Sequence, residues 1–292
     1  MKSIVDISTT AGLLGLGRIA QTLTPSGRQR LGAFLGRRLM GLSAKRRNIT
    51  LANITRALPT FSAAQHAEIM RGSYENLGIV LSELLATPAL TRTDLTSRVK
   101  IPGFDVVLNR HRDGKPSIFL SAHYGNWEYL AQTAGILLNA PVTIVVHPQS
   151  NAAADRFLNA YRTRFGNVVV PMGDAARPLV RALSSGGVVA FLVDQHGHVD
   201  KDPWIDFFGR STPTYEAPAA LALKYNAPIF YAFAERMADG TYNAPIHELP
   251  MHDLENTKDG IIELTKRHVR ILEEAILKRP ELWSWQHRRW RG

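Results

Sequence analysis

The chain has 292 residues, 45% of them hydrophobic, no cysteine and a formal net charge of +10. That length suits one large α/β core or two small domains, and the missing cysteine excludes disulfides, thiolate metal ligands and a cysteine nucleophile. The charge is unevenly placed: residues 1–67 carry Lys2, Arg18, Arg28, Arg30, Arg37, Arg38, Lys45, Arg46, Arg47 and Arg56 against Asp6 alone, a balance of +9.

Leu, Ile, Phe and Met are interleaved with these arginines, which predicts a surface lying on anionic lipid. No nucleic-acid-binding motif accompanies the charge, so nucleic acid is not the expected partner. The plainer alternative is a solvated basic helix packed on the body. Residues 12–58 read as two or three helices broken at Pro25 and Pro59, and the small residues Gly32, Ala33 and Gly36 permit close helix packing. Residues 62–86 read as a further amphipathic helix. The most apolar window, residues 9–23, is interrupted by Arg18 and Gln21 and falls short of the ~18 apolar residues of a membrane span. A monotopic, peripheral helix is therefore expected. With no convincing signal peptide, exposure to the cytoplasm is the default. The Gly15-Leu16-Gly17-Arg18-Ile19-Ala20 run resembles a dinucleotide fingerprint, but no acid follows it until Glu68, so no carboxylate stands ~20 residues on for a ribose.

From Val99 the pattern alternates between strands and helices. Strands are predicted at residues 116–121, 142–147, 168–170, 188–193, 229–234 and 242–246, the last two a candidate antiparallel hairpin around Asp239-Gly240. Such alternation predicts an α/β fold with a mostly parallel sheet flanked by helices. Residues 1–95 would form a helical region and residues 96–292 the core, the two making one continuous domain. The connection from Asp194 to Tyr215 is too long for a simple loop and is a candidate lid or binding segment.

The chemistry concentrates in His123-Tyr124-Gly125-Asn126-Trp127-Glu128, between a predicted strand and a predicted helix. Gly125 permits a sharp turn and Asn126 is a good N-cap. Glu128 then falls in the first helical turn, where free backbone N–H groups favour a carboxylate. A carboxylate that orients His123 and stabilises its protonated form lets the other ring nitrogen take a proton from an attacking hydroxyl. By themselves the two residues read as readily as a core histidine and an ordinary first-turn acid.

This motif resembles the His-x4-Asp/Glu signature of glycerolipid acyltransferases. Its flanks narrow the resemblance. SAHYGNWE, RTRFGNVVVP, VDQHG, FFGRSTPT and RPELWSWQHRRW occur in the order and spacing of the lipid A late acyltransferase family, which also includes mannoside acyltransferases. The resemblance runs from about Arg46 to the C-terminus. It implies transfer of a fatty acyl chain from an acyl carrier protein or coenzyme A thioester to a hydroxyl of a lipid A precursor or related membrane glycolipid or phospholipid. It also implies no cofactor, no metal, and a place at the cytoplasmic face of a bacterial inner membrane. His123 would be the base and Glu128 its orienter. Arg162 would bind a phosphate or brace Glu128. Asp194, at the end of a predicted strand where open α/β sheets place their crevice, would with Gln195 orient the acceptor or complete the charge network around His123.

Four further residues are candidates for substrate binding. Asn126 is a cap first and a substrate contact second, and Arg164 is either an anion ligand or a helix C-cap. Thr212 and Thr214, after Phe-Phe-Gly, are expected to line the lipid entrance. Trp283, Trp285 and Trp290, beside His287, Arg288, Arg289 and Arg291, suit either a membrane interface or a tail packed on the core. Asp194, His196 and His198 offer a competing metal-hydrolase reading, on a spacing that arises often by chance. Other acyl acceptors, and a non-catalytic lipid-binding scaffold, are the remaining alternatives.

Overall fold

The computed structural model describes residues 2–149 and 151–290, with side chains from Thr10 onward. The expectations for the side chains of Lys2, Asp6 and Arg291 lie outside the described residues. The chain opens with four helices, α1 (Lys2–Thr22), α2 (Pro25–Leu42), α3 (Ala44–Ala57) and α4 (Ala63–Ala86). Thr24 caps α2 by accepting from the Gly27 amide, with Pro25 at its first position, and Ser62 opens α4 with a reciprocal capping box to Gln65. These are the start signals that make short polar stretches between apolar faces into helix boundaries. Gly32 and Gly36 of α2 lie directly on α4, as their size requires: a Cβ on Gly36 would stand 2.0 Å from the Tyr74 carbonyl oxygen. Among the described residues no helix is long and apolar enough to cross a membrane.

The alternating part then runs α5 (Arg92–Arg98), β1 (Val99–Lys100), α6 (Asp105–Arg112), β2 (Ser117–Ser121), α7 (Trp127–Leu138), β3 (Val142–Val146), α8 (Ala152–Arg162), β4 (Val168–Pro171), α9 (Ala176–Ser184) and β5 (Val188–Leu192). A hairpin follows, β6 (Trp204–Phe207) and β7 (Arg210–Pro213), then α10 (Ala217–Tyr225), β8 (Ile229–Tyr231), β9 (Glu235–Arg236), β10 (Tyr242–Asn243), β11 (His247–Glu248) and α11 (Lys258–Lys278). The central sheet is mixed, in the order β11-β8-β2-β5-β3-β4. Its pairings are parallel except at the edge, where β11 runs antiparallel to β8.

One expectation is corrected and another is resolved by the structure. The strand predicted at 229–234 does not pair with the one at 242–246: residues 229–231 join the central sheet, and the hairpin around Asp239-Gly240 is made by β9 with β10, in a separate small sheet with β1. The connection from 194 to 215 borders the cavity described below, as a binding segment would, through Gln195, His196, His198, Lys201, Asp202 and Tyr215, and its second half is packed on the body. Its β6–β7 hairpin buries Ile205 and Phe207, and Phe207 packs against Trp283 and Trp290.

Alternation along each strand divides the core. Phe119 and Ile144 face α5, α6 and α7, while Ile118, Leu120 and Val189 face α9, α10 and α11. A third cluster joins Ile54, Leu58 and Ile69 of the N-terminal helices to Phe207, Trp283 and Trp285, so the tail is built into the body together with them. Trp283 and Trp285 are fully buried, which settles their case against a membrane interface.

Candidate active site

Parallel pairing of β2 with β5 places Ser121 opposite Leu192. Two residues further along each strand, at the carboxyl edge of the sheet, stand His123 and Asp194. The His123 imidazole bonds through Nδ1 to Asp194 Oδ1 at 2.9 Å, and the other carboxylate oxygen accepts from the His123 backbone N–H at 3.1 Å and from Trp283 Nε1 at 2.9 Å. An ionised carboxylate only accepts, so Nδ1 carries the ring proton and Nε2 is left with its lone pair. Burial favours the neutral imidazole, but the charge and hydrogen bond of Asp194, with a contribution from Glu128, outweigh it and raise the His123 pKa above 6.5. Burial likewise works against an ionised Asp194, yet His123 and Trp283 hold its pKa down to about 2. The Trp127 ring meets the imidazole edge-on at 5.0 Å.

The turn that carries His123 is held from several sides. Gly125 has φ +56°, and a Cβ there would lie 1.7 Å from the Ala234 carbonyl oxygen, so both conformation and space require glycine. Asn126 caps α7 by accepting from the Tyr129 amide at 2.9 Å, and its side-chain N–H donates to Glu83 at 2.7 Å. Asn76 of α4 donates to the carbonyls of Gly125 and Leu282.

Glu128, in the first turn of α7, does not orient His123. Both its oxygens are taken by Arg162 of α8, through Nε at 3.1 and 3.0 Å and Nη2 at 2.6 Å, while Trp127 Nε1 donates at 3.2 Å. The expectation that Glu128 is the orienting acid is therefore corrected to Asp194. The helix turns its acid toward α8, where a planar guanidinium fork matches both oxygens, whereas strand register brings Asp194 to the imidazole. The buried pair keeps Arg162 charged: desolvation opposes the cation, but Glu128 more than compensates and raises its pKa.

A cavity of about 580 Å³ opens beside these groups and runs between the sheet and α7. His123, Glu128, Arg162 and Gln195 line its polar end, and Phe104, Phe119, Leu130, Ile144, Phe230 and Ile246 line its apolar reach. The volume falls within the roughly 300–1,000 Å³ of ligand sites, and polar residues including His147, Gln149, His196, His198, Lys201 and Asp202 also border it.

Not every predicted residue reaches it. Arg164 points outward, donating to the Pro88 carbonyl at 2.8 Å and stacking over Phe165. Thr212 and Thr214 are buried in the hairpin, where Thr214 accepts from Arg289 and donates to the Thr212 carbonyl. Asn126 is buried behind the turn. None of these four lines the cavity: Asn126, Thr212 and Thr214 are buried among their own hydrogen-bond partners, and Arg164 lies exposed on the outer surface. The proposed metal trio does not converge either. Asp194 faces His123, His196 Nδ1 bonds the Arg289 carbonyl, and the His198 ring accepts from the Asp200 amide.

Three further residues complete this neighbourhood. Glu83 of α4 is buried and gathers Tyr242 Oη at 2.5 Å, Asn126 at 2.7 Å and Gln29 at 3.1 Å; burial raises its pKa against these donors and Arg236. An acid inside the apolar run Gly78-Ile79-Val80-Leu81-Ser82-Glu83-Leu84-Leu85 is the signal that marks it. Trp283 meets Asp194 from the far end of the chain. Arg289, fully buried, donates to the carbonyls of Gln195 and Pro213 and so fixes the residue after Asp194. The tail motif contains both, but nothing local assigns either one its partner.

Compared with known protein families, residues 6–292 match a family model described as "Bacterial lipid A biosynthesis acyltransferase". A search of curated proteins found no match.

Proposed function

The chain belongs to the bacterial lipid A biosynthesis acyltransferase family, and from that premise we propose that it transfers a fatty acyl chain from a carrier-protein or coenzyme A thioester to a hydroxyl of a lipid A precursor or closely related glycolipid. The observation that carries this reading is the His123–Asp194 pair, with His123 lining a largely apolar cavity. The cavity takes the acyl chain, whose burial away from water stabilises the donor complex. His123 Nε2 removes the proton of the acceptor hydroxyl as its oxygen attacks the thioester carbonyl. Asp194 stabilises the imidazolium that forms. Collapse of the tetrahedral intermediate expels the thiolate, which the imidazolium protonates, so no covalent enzyme intermediate is needed. Arg162, fixed and kept charged by Glu128, supplies positive charge for a phosphate of donor or acceptor.

The same reading puts the enzyme on the cytoplasmic face of an inner membrane as a peripheral protein. Leu14, Ile19, Phe34, Leu39 and Leu42 are exposed on α1 and α2 beside Arg18, Arg30 and Arg38, a mixture suited to the interface of an anionic bilayer. The test is reconstitution of purified protein with an acyl thioester and a lipid A precursor, with products weighed by mass spectrometry. A product heavier by one acyl group, formed by the native chain and not by His123→Ala, supports the proposal. Release of free fatty acid with no acylated lipid would overturn it in favour of thioester hydrolysis.

A further inference from the structure

The tail that follows α11 approaches the catalytic turn as a strand would. The Gly125 amide donates to the Leu282 carbonyl at 3.0 Å, the Ser284 amide donates to the His123 carbonyl at 3.0 Å, and Tyr124 and Trp283 face one another as an antiparallel bridge. The Trp283 carbonyl is tied to α4 by the Ser73 hydroxyl at 2.6 Å. Its ring packs edge-on against Phe207 and Trp285 and is 1% exposed. So held, the indole presents a single polar atom, Nε1, and that atom donates to Asp194 Oδ2.

We propose that Trp283 is a positioning residue of the acyl transfer: its indole N–H locks the Asp194 carboxylate so that Oδ1 alone serves His123. The carboxylate is 3% exposed, and its three donors are the His123 ring, the His123 amide and the indole. Without the indole N–H, Oδ2 keeps one donor, a backbone amide. The carboxylate then gains freedom to rotate off the imidazole, and it becomes a stronger base because a hydrogen bond to its charged form is lost. Greater electron density beside Nδ1 favours the imidazolium. The charged groups that face this pair are Glu128 of α7, Arg162 of α8 and Arg289 of the tail, and none of them touches Nε1 of Trp283. The sign of the change is therefore set by Asp194 alone: His123 titrates at higher pH, and less of it is neutral at any pH near its midpoint.

The inference rests on the acyl-transfer reading, and the experiment separates the two. Trp283→Phe keeps an aromatic ring against Phe207 and Trp285 and deletes the N–H. In case that variant does not fold, benzothienylalanine introduced at position 283 replaces the N–H by sulfur within the same outline. Acyl transfer is measured against pH for the native chain, each Trp283 variant, Asp194→Asn, the double variant Trp283→Phe/Asp194→Asn, and His123→Ala. Deleting a hydrogen bond to a charged group corresponds to a loss of roughly tenfold or more in kcat, with KM for donor and acceptor unchanged and the acid limb moved to higher pH. Because Trp283 acts through Asp194, the double variant should be no slower than Asp194→Asn. Unchanged kcat and acid limb in a folded Trp283 variant, or losses that multiply in the double variant, would overturn the inference and leave a merely structural tryptophan. Activity in folded His123→Ala would instead overturn the reading beneath it.

Discussion

His123 accepts a proton only when neutral, and its pKa is raised above 6.5 chiefly because Asp194 outweighs the effect of burial. As pH falls through that raised value the base is lost, so kcat should decline on the acid side with a midpoint above 6.5, tenfold per unit well below it. A kcat profile that stays flat down to pH 5 would show that His123 is not the base. Folded His123→Ala should lose about 10²–10⁴-fold in turnover, the usual worth of a general base. Glu128→Gln has a different expected signature now that Arg162, and not His123, is its partner. Removing one member of a buried ion pair strands the other, so this variant should melt at lower temperature and should bind donor or acceptor more weakly, while the acid limb moves only slightly. Calorimetry together with the pH profile checks this. The sequence marks His123 and Glu128 by type and spacing, and the family resemblance adds Arg162 and Asp194. It does not say which acid serves which base, because Glu128 and Asp194 are both compatible with the histidine until register and helix rotation are known.

At the scale of elements, the catalytic group depends on a turn that glycine alone permits. Gly125→Ala adds a Cβ 1.7 Å from a carbonyl oxygen at a φ of +56°, so the strand-to-helix turn must shift and carry the imidazole away from Asp194. The expected outcome is protein with a lowered melting temperature and at least a tenfold loss of kcat, since sub-ångström placement decides proton transfer. A Gly125→Ala enzyme with native kcat would mean that the turn is more compliant than its packing implies. The α2–α4 contact behaves differently. A Cβ at Gly36 also meets backbone, 2.0 Å from Tyr74 O, yet it lies outside the cavity wall. Gly36→Ala should cost stability, on the order of 1–3 kcal/mol from overpacking, with catalytic constants of the folded fraction preserved. Helix and strand positions follow from periodicity and caps, and α4 begins at the capping box that Ser62 and Gln65 announce. The β6–β7 hairpin is not legible in that way, because its apolar residues are buried against a tail roughly eighty positions away.

For the whole molecule, the basic N-terminal helices set the expected relation to lipid. Arg28 is not available to a membrane: it is buried and donates to the Ala20 carbonyl, and Arg37 is engaged by Glu75. Arg18, Arg30, Arg38 and Lys45 are exposed. Replacing these four by Gln should weaken binding to anionic vesicles by up to about 4 kcal/mol, at about 1 kcal/mol for each charge near the surface. Raised salt should release the native protein as well, since the Debye length is ~8 Å at physiological ionic strength. Activity on a soluble short-chain acceptor should survive. Complete sedimentation of the fourfold variant with vesicles at high salt would replace the electrostatic account by a hydrophobic one.

Local sequence dictates the α/β alternation, the helical start, the small-residue contact of α2, and the strand-turn-helix that carries His123, Gly125 and Glu128. Each of these rests on interactions between residues near in the chain: periodic burial, capping, and the φ freedom of glycine. It also carried, in motifs spread along the chain, the family to which the protein belongs. Chain packing is what makes Asp194 the partner of His123, gives Arg162 to Glu128, and brings Trp283 to the carboxylate from the tail. Those pairings are separated by 71, 34 and 89 positions. They are set by the parallel register of β2 and β5 and by the packing of α8 and the tail, and no local spacing encodes which strands become neighbours.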